Sequence, residues 1–323
     1  MKKIIAVVLL VFTLLITGCQ SNAATAKPKE IRIDYAYYSP LSLVLKDQGF
    51  LEKRLAKDGV PVKYVLSQGS NKALEFLNSN SVDFGSAAGG AALIAKAKGA
   101  PIESVYVASK PEWTALVTLP DSSVKSVADL KGKKVAATFG TDPHIFLLRA
   151  LDEAGLSSKD VQLINLQHTD GALALQTKQI DAWAGLDPHM AKVELESKAT
   201  LFKRQVDWNT YSLLHVRSEF AKQYPAYVKV VLEAYEDARK WALAHPEETA
   251  QILAKEAKLD PEIAKLELKR SDFSNAIPND AVKDSLKGAS TVLLKEKIIP
   301  PNTDTKKTID ELIQPSFAKE VVK

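Results

Sequence analysis

Short apolar runs recur along the chain, each closed by glycine, proline or hydroxyl residues and followed by apolar positions at helical spacing. Residues 31–35 alternate as a strand does. The turn Tyr37-Tyr38-Ser39 follows, then a helix from Pro40 that carries Leu41, Val44 and Leu45 on one face and stops at Gly49. Residues 62–66, the turn 67–70 and a helix carrying Ala73, Leu74 and Leu77 repeat the unit. A third copy runs from 82–84 through the small-residue stretch 85–90 into a helix that ends at Gly99. Further strands are predicted at 113–119, 134–138, 161–166, 182–186 and 211–216, with helices from Pro143 (Leu147, Leu148, Leu151 inward) and from Thr169 or Asp170. From Ser218 onward the pattern is almost entirely helical, with Val228, Val231, Leu232 and Tyr235 on one face. Strands alternating with helices of this length predict parallel β-α-β units and an α/β fold.

A strand that delivers the chain through a small-residue turn into a helix aims unpaired N–H groups and the positive end of the helix dipole at one point. Such a point receives an anion or a polar head group. In residues 133–151, Asp142 stands where an N-cap belongs and Pro143 where the first helical residue belongs. Asp187-Pro188 repeats that start. Both aspartates read as helix caps, or as ligand residues that favour an amine or hydroxyl donor. Ser39, Ser67, Ser70, Ser86 and Thr141 place hydroxyls at the turns. The turn at 85–90 has almost no side-chain bulk, so Gly89→Val is expected to crowd it and abolish binding while the fold survives.

The N-terminus changes where such a body would work. Lys2 and Lys3 precede an apolar run, 4–16, that is shorter than the roughly 20 residues of a membrane span, and Ile16-Thr17-Gly18-Cys19 closes it. This resembles a bacterial lipoprotein leader, with residues 1–18 removed, Cys19 lipidated and 19–30 a flexible tether. Cys19 is the sole cysteine, so no disulfide framework exists. Loss of Lys2 and Lys3 lowers the formal charge from +4 to +2, too balanced to indicate nucleic acid. The remaining chain is long enough for two lobes, expected as 31–112 with the return at 213–323, and 113–212.

Candidate chemistry narrows the function further. The five histidines (144, 168, 189, 215, 245) lack the i, i+4 pairing of a zinc helix, and there is no Cys-x-x-Cys, so no metal site is expected. Neither G-x-S-x-G nor a phosphate-binding loop occurs. His144 falls on the apolar helix face, where it either closes the core or points into a cleft beside Gly140 and Thr141. Tyr38, Trp113, Trp183 and Tyr211 either belong to the core or shape a pocket. No arginine falls in the loops after the predicted strands, so a bidentate anion clamp is not expected there.

Taken together, the lipobox, YYSPLSLVLKDQGFLEKRL, VDFGSAAGGAALIAKAKGAPI, SVADLKGKKVAA, GTDPHIFLLRAL, IDAWAGLDPHMA and WALAHPEETAQILAKE resemble the solute-binding lipoproteins of ABC importers, nearest the aliphatic sulfonate, taurine and nitrate binders. The resemblance implies a two-lobed, type II periplasmic-binding-protein-like fold with two crossover strands. It implies capture of a small sulfonate-like solute in the inter-lobe cleft, delivery to a cognate membrane permease, no catalysis and no cofactor. The protein is expected to be a monomer held outside the cell membrane through Cys19. It places first-lobe contacts at Tyr38, Ser39, Gln68, Gly69, Ser86, Ala87, Ala88 and Gly89, and the others at Trp113, Gly140, Thr141, His144, Asp187, Asn209 and Tyr211. Two departures bear on the ligand. Asp142 puts a carboxylate where sulfonate binders usually carry a Gly-Ser-Ser-x-His type turn, and Leu186 stands where they usually have tryptophan. Nitrate or a neutral thiamine-precursor pyrimidine in the same role are the alternatives; an enzyme on this fold is the alternative of another class.

Overall fold

The computed structural model describes residues 27–323. The leader, Cys19 and most of the expected tether lie outside the described residues. Along the chain β1 (Ile31–Tyr35) leads to α1 (Pro40–Gln48) and α2 (Phe50–Leu55), and β2 (Val62–Leu66) to α3 (Ser70–Asn78). Then come β3 (Phe84–Ala88), α4 (Gly89–Ala97), the long β4 (Ile102–Pro111) and β5 (Leu116–Thr118). β6 (Lys134–Ala137) leads to α5 (Asp142–Glu153), β7 (Gln162–Asn165) to α6 (His168–Gln176), and β8 (Ala182–Ala184) to α7 (His189–Ser197). β9 (Thr200–Lys203) and β10 (Ser212–Arg217) precede α8 (Ser218–Gln223), α9 (Pro225–Ala244), α10 (Pro246–Ala257) and α11 (Pro261–Lys269). The short β11 (Ser271–Asp272), α12 (Asp280–Lys295), α13 (Thr305–Leu312) and α14 (Ser316–Val321) complete the chain. No helix among the described residues is long and apolar enough to cross a membrane.

The strands form two sheets, in the orders β11-β4-β10-β3-β1-β2 and β7-β6-β8-β5-β9. Both are mixed, which the expectation of purely parallel units missed. β1 pairs in parallel with β2 and β3, but β10 enters antiparallel between β3 and β4. In the second sheet β6 is parallel to β7 and β8, while β5 runs antiparallel to β8 and β9. Two connections join the sheets, 112–115 outward and 204–211 back.

Helices cover both faces of each sheet, so the core divides into four apolar clusters. In α1, Leu41, Val44 and Leu45 are at most 1% exposed, each contributing about 1.5–3 kcal/mol by leaving water. Gly49 ends that helix at φ 63, its N–H reaching back to Leu45 and Lys46 carbonyls. Leu147, Leu148 and Leu151 of α5 are buried as their spacing requires. Helices also tie the two halves together. α11 lies between α10 and α7, and α12 between α4 and α5.

Some element boundaries differ from the expectation. Residues 85–88 are strand, and α4 starts at Gly89 without an intervening turn. The predicted strand 113–119 is confined to β5, while β4, β9 and β11 were not anticipated. The N-cap of α5 is Thr141, so Asp142 is already helical and Pro143 is second. α7 begins at His189, after Pro188.

Candidate functional site

A cavity of about 180 Å³ lies between the two sheets. Tyr37, Tyr38, Leu66, Ser67 and Gln68 line one side; His168, Thr169, Leu186, Asp187, Pro188 and His189 line the other. These residues sit at the N-termini of four helices. Tyr38 precedes Ser39, the N-cap of α1, and Gln68 precedes Gly69, the N-cap of α3. His168 is the first residue of α6, and Pro188 caps α7. The sequence dictates this locally: β1, β2, β7 and β8 each end in a short polar or glycine-containing segment that hands the chain to a helix. The N–H groups of Gly69, Ser70 and Asn71 take no hydrogen-bond partner among the described residues. The hydroxyl of Ser39, a residue 2% exposed, also lacks one. Ser67 stands between the cavity and Asp34, a fully buried carboxyl that burial pushes up to about 7 although the Ser67 and Ser86 groups favour its charged form.

Among the described residues no lysine or arginine lines the cavity. Burial lowers His168 to about 3 and His189 to about 4, so both imidazoles are neutral at physiological pH. Asp187, 1% exposed, is the one carboxyl on the lining. Burial raises it to about 6, against the pull of Arg270 and the Ala191 N–H. Oδ1 accepts from Ala191 N at 2.8 Å. Arg270, at the end of α11, donates to both carboxylate oxygens at 3.2 and 3.3 Å and also pairs with Glu194 of α7. The buried Glu267 faces the same guanidinium and is pushed well above the usual range by desolvation and by Asp187. A guanidinium therefore does approach the cavity, from a late helix rather than a post-strand loop, and it is committed to Asp187. A second arginine, Arg204, follows the unanticipated β9 and clamps Glu112 at 2.7 and 2.8 Å.

Of the residues predicted to contact ligand, Tyr38, Gln68 and Asp187 line the cavity, with Ser39 and Gly69 beside it. Tyr38 donates its hydroxyl to Ser86 O at 2.9 Å and packs edge-on to Trp113. The others serve the framework in this structure. Ala88 N donates to Ser70 Oγ at 3.0 Å, Gly89 N to Tyr211 O at 2.9 Å and Gly90 N to Thr210 Oγ1 at 2.9 Å, so the start of α4 is closed to a ligand. Ser86 and Ala87 lie inside β3, paired to β10. Asn209 accepts from Thr114 N at 2.8 Å and ties the two connections together. Thr141 donates to Thr138 O, and His144 stacks on Phe139 with centroids 4.6 Å apart. Gly140 takes φ +75 and lies with them, away from the cavity lining.

The cap reading of Asp142 is corrected. Its carboxylate accepts from Trp113 Nε1 at 3.0 Å, from Thr210 N at 2.7 Å and from Thr210 Oγ1 at 2.7 Å, and so fastens α5 to both connections. It neither caps α5 nor lines the cavity. His168, Thr169 and His189 were missed as lining residues. Metal-ligand spacing says nothing of these histidines; their place at the starts of α6 and α7 is the signal the sequence carries.

The pattern of the family described as NMT1/THI5 like matches residues 43–249. The chain belongs to that family. Two relatives named as aliphatic sulfonates-binding proteins align along most of this family member. The one from Escherichia coli (strain K12) is 30% identical over 290 residues, 89% of this chain and 90% of its own. That from Bacillus subtilis (strain 168) is 28% identical over 316 residues, 96% and 94%. The crystal structure of the periplasmic aliphatic sulphonate binding protein SsuA from Escherichia coli superposes with a TM-score of 0.76 at 29% identity, covering 90% of this chain and 93% of that one. The two-lobed α/β fold implied by the sequence is thus the fold of a binding protein, and these relatives are binding proteins rather than enzymes.

Proposed function

We propose that this protein is the extracytoplasmic solute-binding component of an ABC importer, and that it captures a small sulfonate-like anion between its lobes for delivery to a membrane permease. The lobes are 31–112 with 213–323, and 113–212; the ligand contacts are Tyr38, Ser39, Ser67, Gln68, Gly69, His168 and Thr169. The observation that carries the reading is the convergence of four helix starts on one small cavity, including three N–H groups of α3 without partners. At about 180 Å³ the cavity falls below the roughly 300–1,000 Å³ of drug-sized sites, so its occupant is small. Helix ends contribute about 0.3–1 kcal/mol each and charge-assisted hydrogen bonds about 1.5–3, enough for the roughly 8 kcal/mol of micromolar binding without a lysine or arginine. The relatives' sulfonate-binding names agree with this chemistry.

Cys19 is the proposed lipid anchor, and Cys19→Ala should release the protein from the membrane fraction. Titration calorimetry of the purified protein with alkanesulfonates, taurine, nitrate and an aminopyrimidine tests the ligand class. Heat from a sulfonate is expected; response to the aminopyrimidine alone would transfer the role to the heteroaromatic reading, which the single carboxylate on the lining favours.

A further inference from the structure

The hydrogen bonds around His168 define which of its nitrogens carries the proton. Thr138 Oγ1 donates to Leu166 O at 2.7 Å, which uses the only hydroxyl proton. The same oxygen lies 3.1 Å from His168 Nδ1. With no second proton on Thr138, that contact requires Nδ1–H as donor. In the neutral ring Nε2 is then a bare acceptor. His168 is 1% exposed, lines the cavity, and its Nε2 has no partner among the described residues. Asn71 Oδ1, another acceptor without a partner, lies nearby. A Cβ on Gly69 would meet Asn71 Oδ1 at 2.7 Å and His168 Nε2 at 3.1 Å, so both acceptors lie beside the same glycine. A buried acceptor left unpaired is costly, and a ligand that lacks a donor leaves it so.

We propose that His168 Nε2 selects sulfonates bearing a second, hydrogen-donating group, an amino or hydroxyl, over plain alkanesulfonates. The inference rests on the sulfonate reading above and names the subclass. The anion takes the N–H groups at the helix starts; the donor end satisfies Nε2, and an ammonium, with several hydrogens, reaches Asn71 Oδ1 as well. The absence of any lysine or arginine from the lining, beside one carboxylate, suits a zwitterion better than a bare anion.

Calorimetry with taurine, 2-hydroxyethanesulfonate and ethanesulfonate, which differ only at the terminal group, tests this directly. Taurine is expected to bind at least about tenfold tighter than ethanesulfonate, with the hydroxy compound between. His168→Asn keeps a donor toward Thr138 and deletes Nε2, so the preference should fall below about threefold, through weaker taurine binding. Ethanesulfonate bound as tightly as taurine by the unaltered protein would overturn the selection while leaving the sulfonate reading intact. Failure of all three to bind would sink both. Independently of any variant, imidazole nitrogen shifts at neutral pH should show His168 protonated at Nδ1 and bare at Nε2; the reverse tautomer, or an imidazolium, would overturn the proposal.

Discussion

The tripeptide Asp-Pro-His occurs twice at the start of a helix, at 142–144 and at 187–189, and the two copies do different work. Asp142 holds the inter-sheet connections through Trp113 and Thr210, and its histidine stacks on Phe139 away from the cavity. Asp187 lines the cavity, is held by Arg270 from α11, and its histidine lines the cavity too. What separates them lies far off in the chain. Thr210 is 68 residues beyond Asp142, and Arg270 is 83 beyond Asp187. A local motif specifies a helix start; the partner brought to it specifies whether that start ties the connections or lines the cavity.

The largest effect expected from breaking this contrast comes from Arg270→Met. It strands the Asp187 carboxylate in a buried setting and should cost about 3–5 kcal/mol in urea unfolding at pH 8. The cost should shrink toward pH 5. Asp187 stands at about 6 in the folded protein, above its unfolded value, so its contribution is present at low pH and lost as pH rises through about 6. Without the guanidinium its folded value climbs further, and acid relieves the variant more than the parent. A loss independent of pH would mean that Arg270 acts by packing.

Asp142→Ala comes next. It leaves Thr210 N and Trp113 Nε1 without an acceptor and should cost about 2–4 kcal/mol, with ligand affinity recovered when the folded fraction is counted. A stable variant that binds no ligand would place Asp142 in the site after all. Gly89→Val then reverses the expectation drawn from the sequence. Its Cβ would stand 3.0 Å from Leu286 and 3.3 Å from Leu213, so the substitution overpacks the core and should cost about 1–3 kcal/mol. Unchanged stability with abolished binding would restore the ligand-contact reading. Gly69→Ala is the mildest. The φ of 168 is extended backbone open to any residue, so the fold should hold; the methyl meets Asn71 and His168 across the cavity and should weaken ligand binding about tenfold in calorimetry.

Much of the frame was legible because helix starts are local. Tyr38-Ser39-Pro40 and the Leu41, Val44, Leu45 spacing located α1, and Ser67 to Ser70 located the start of α3. The mixed sheets were not, since β10 joins β3 and β4 from far later in the chain and carries no local sign of its direction. The glycines after Phe84 looked the most ligand-like, yet smallness there serves close contact with Leu213, Thr210 and Tyr211. His168 stayed hidden because its place at a helix start, the one local signal, says nothing of the tautomer that Thr138 sets.

Helix α12, wedged between α4 and α5, bears on how far the two halves can part. A rod braced against both halves ties them there, and α11, set between α10 and α7, ties them a second time. Arg270 stands at that second tie with Asp187 and Glu194. This clasp is fastened by charge in a buried setting, where added salt screens it little, so it holds across a wide range of ionic strength.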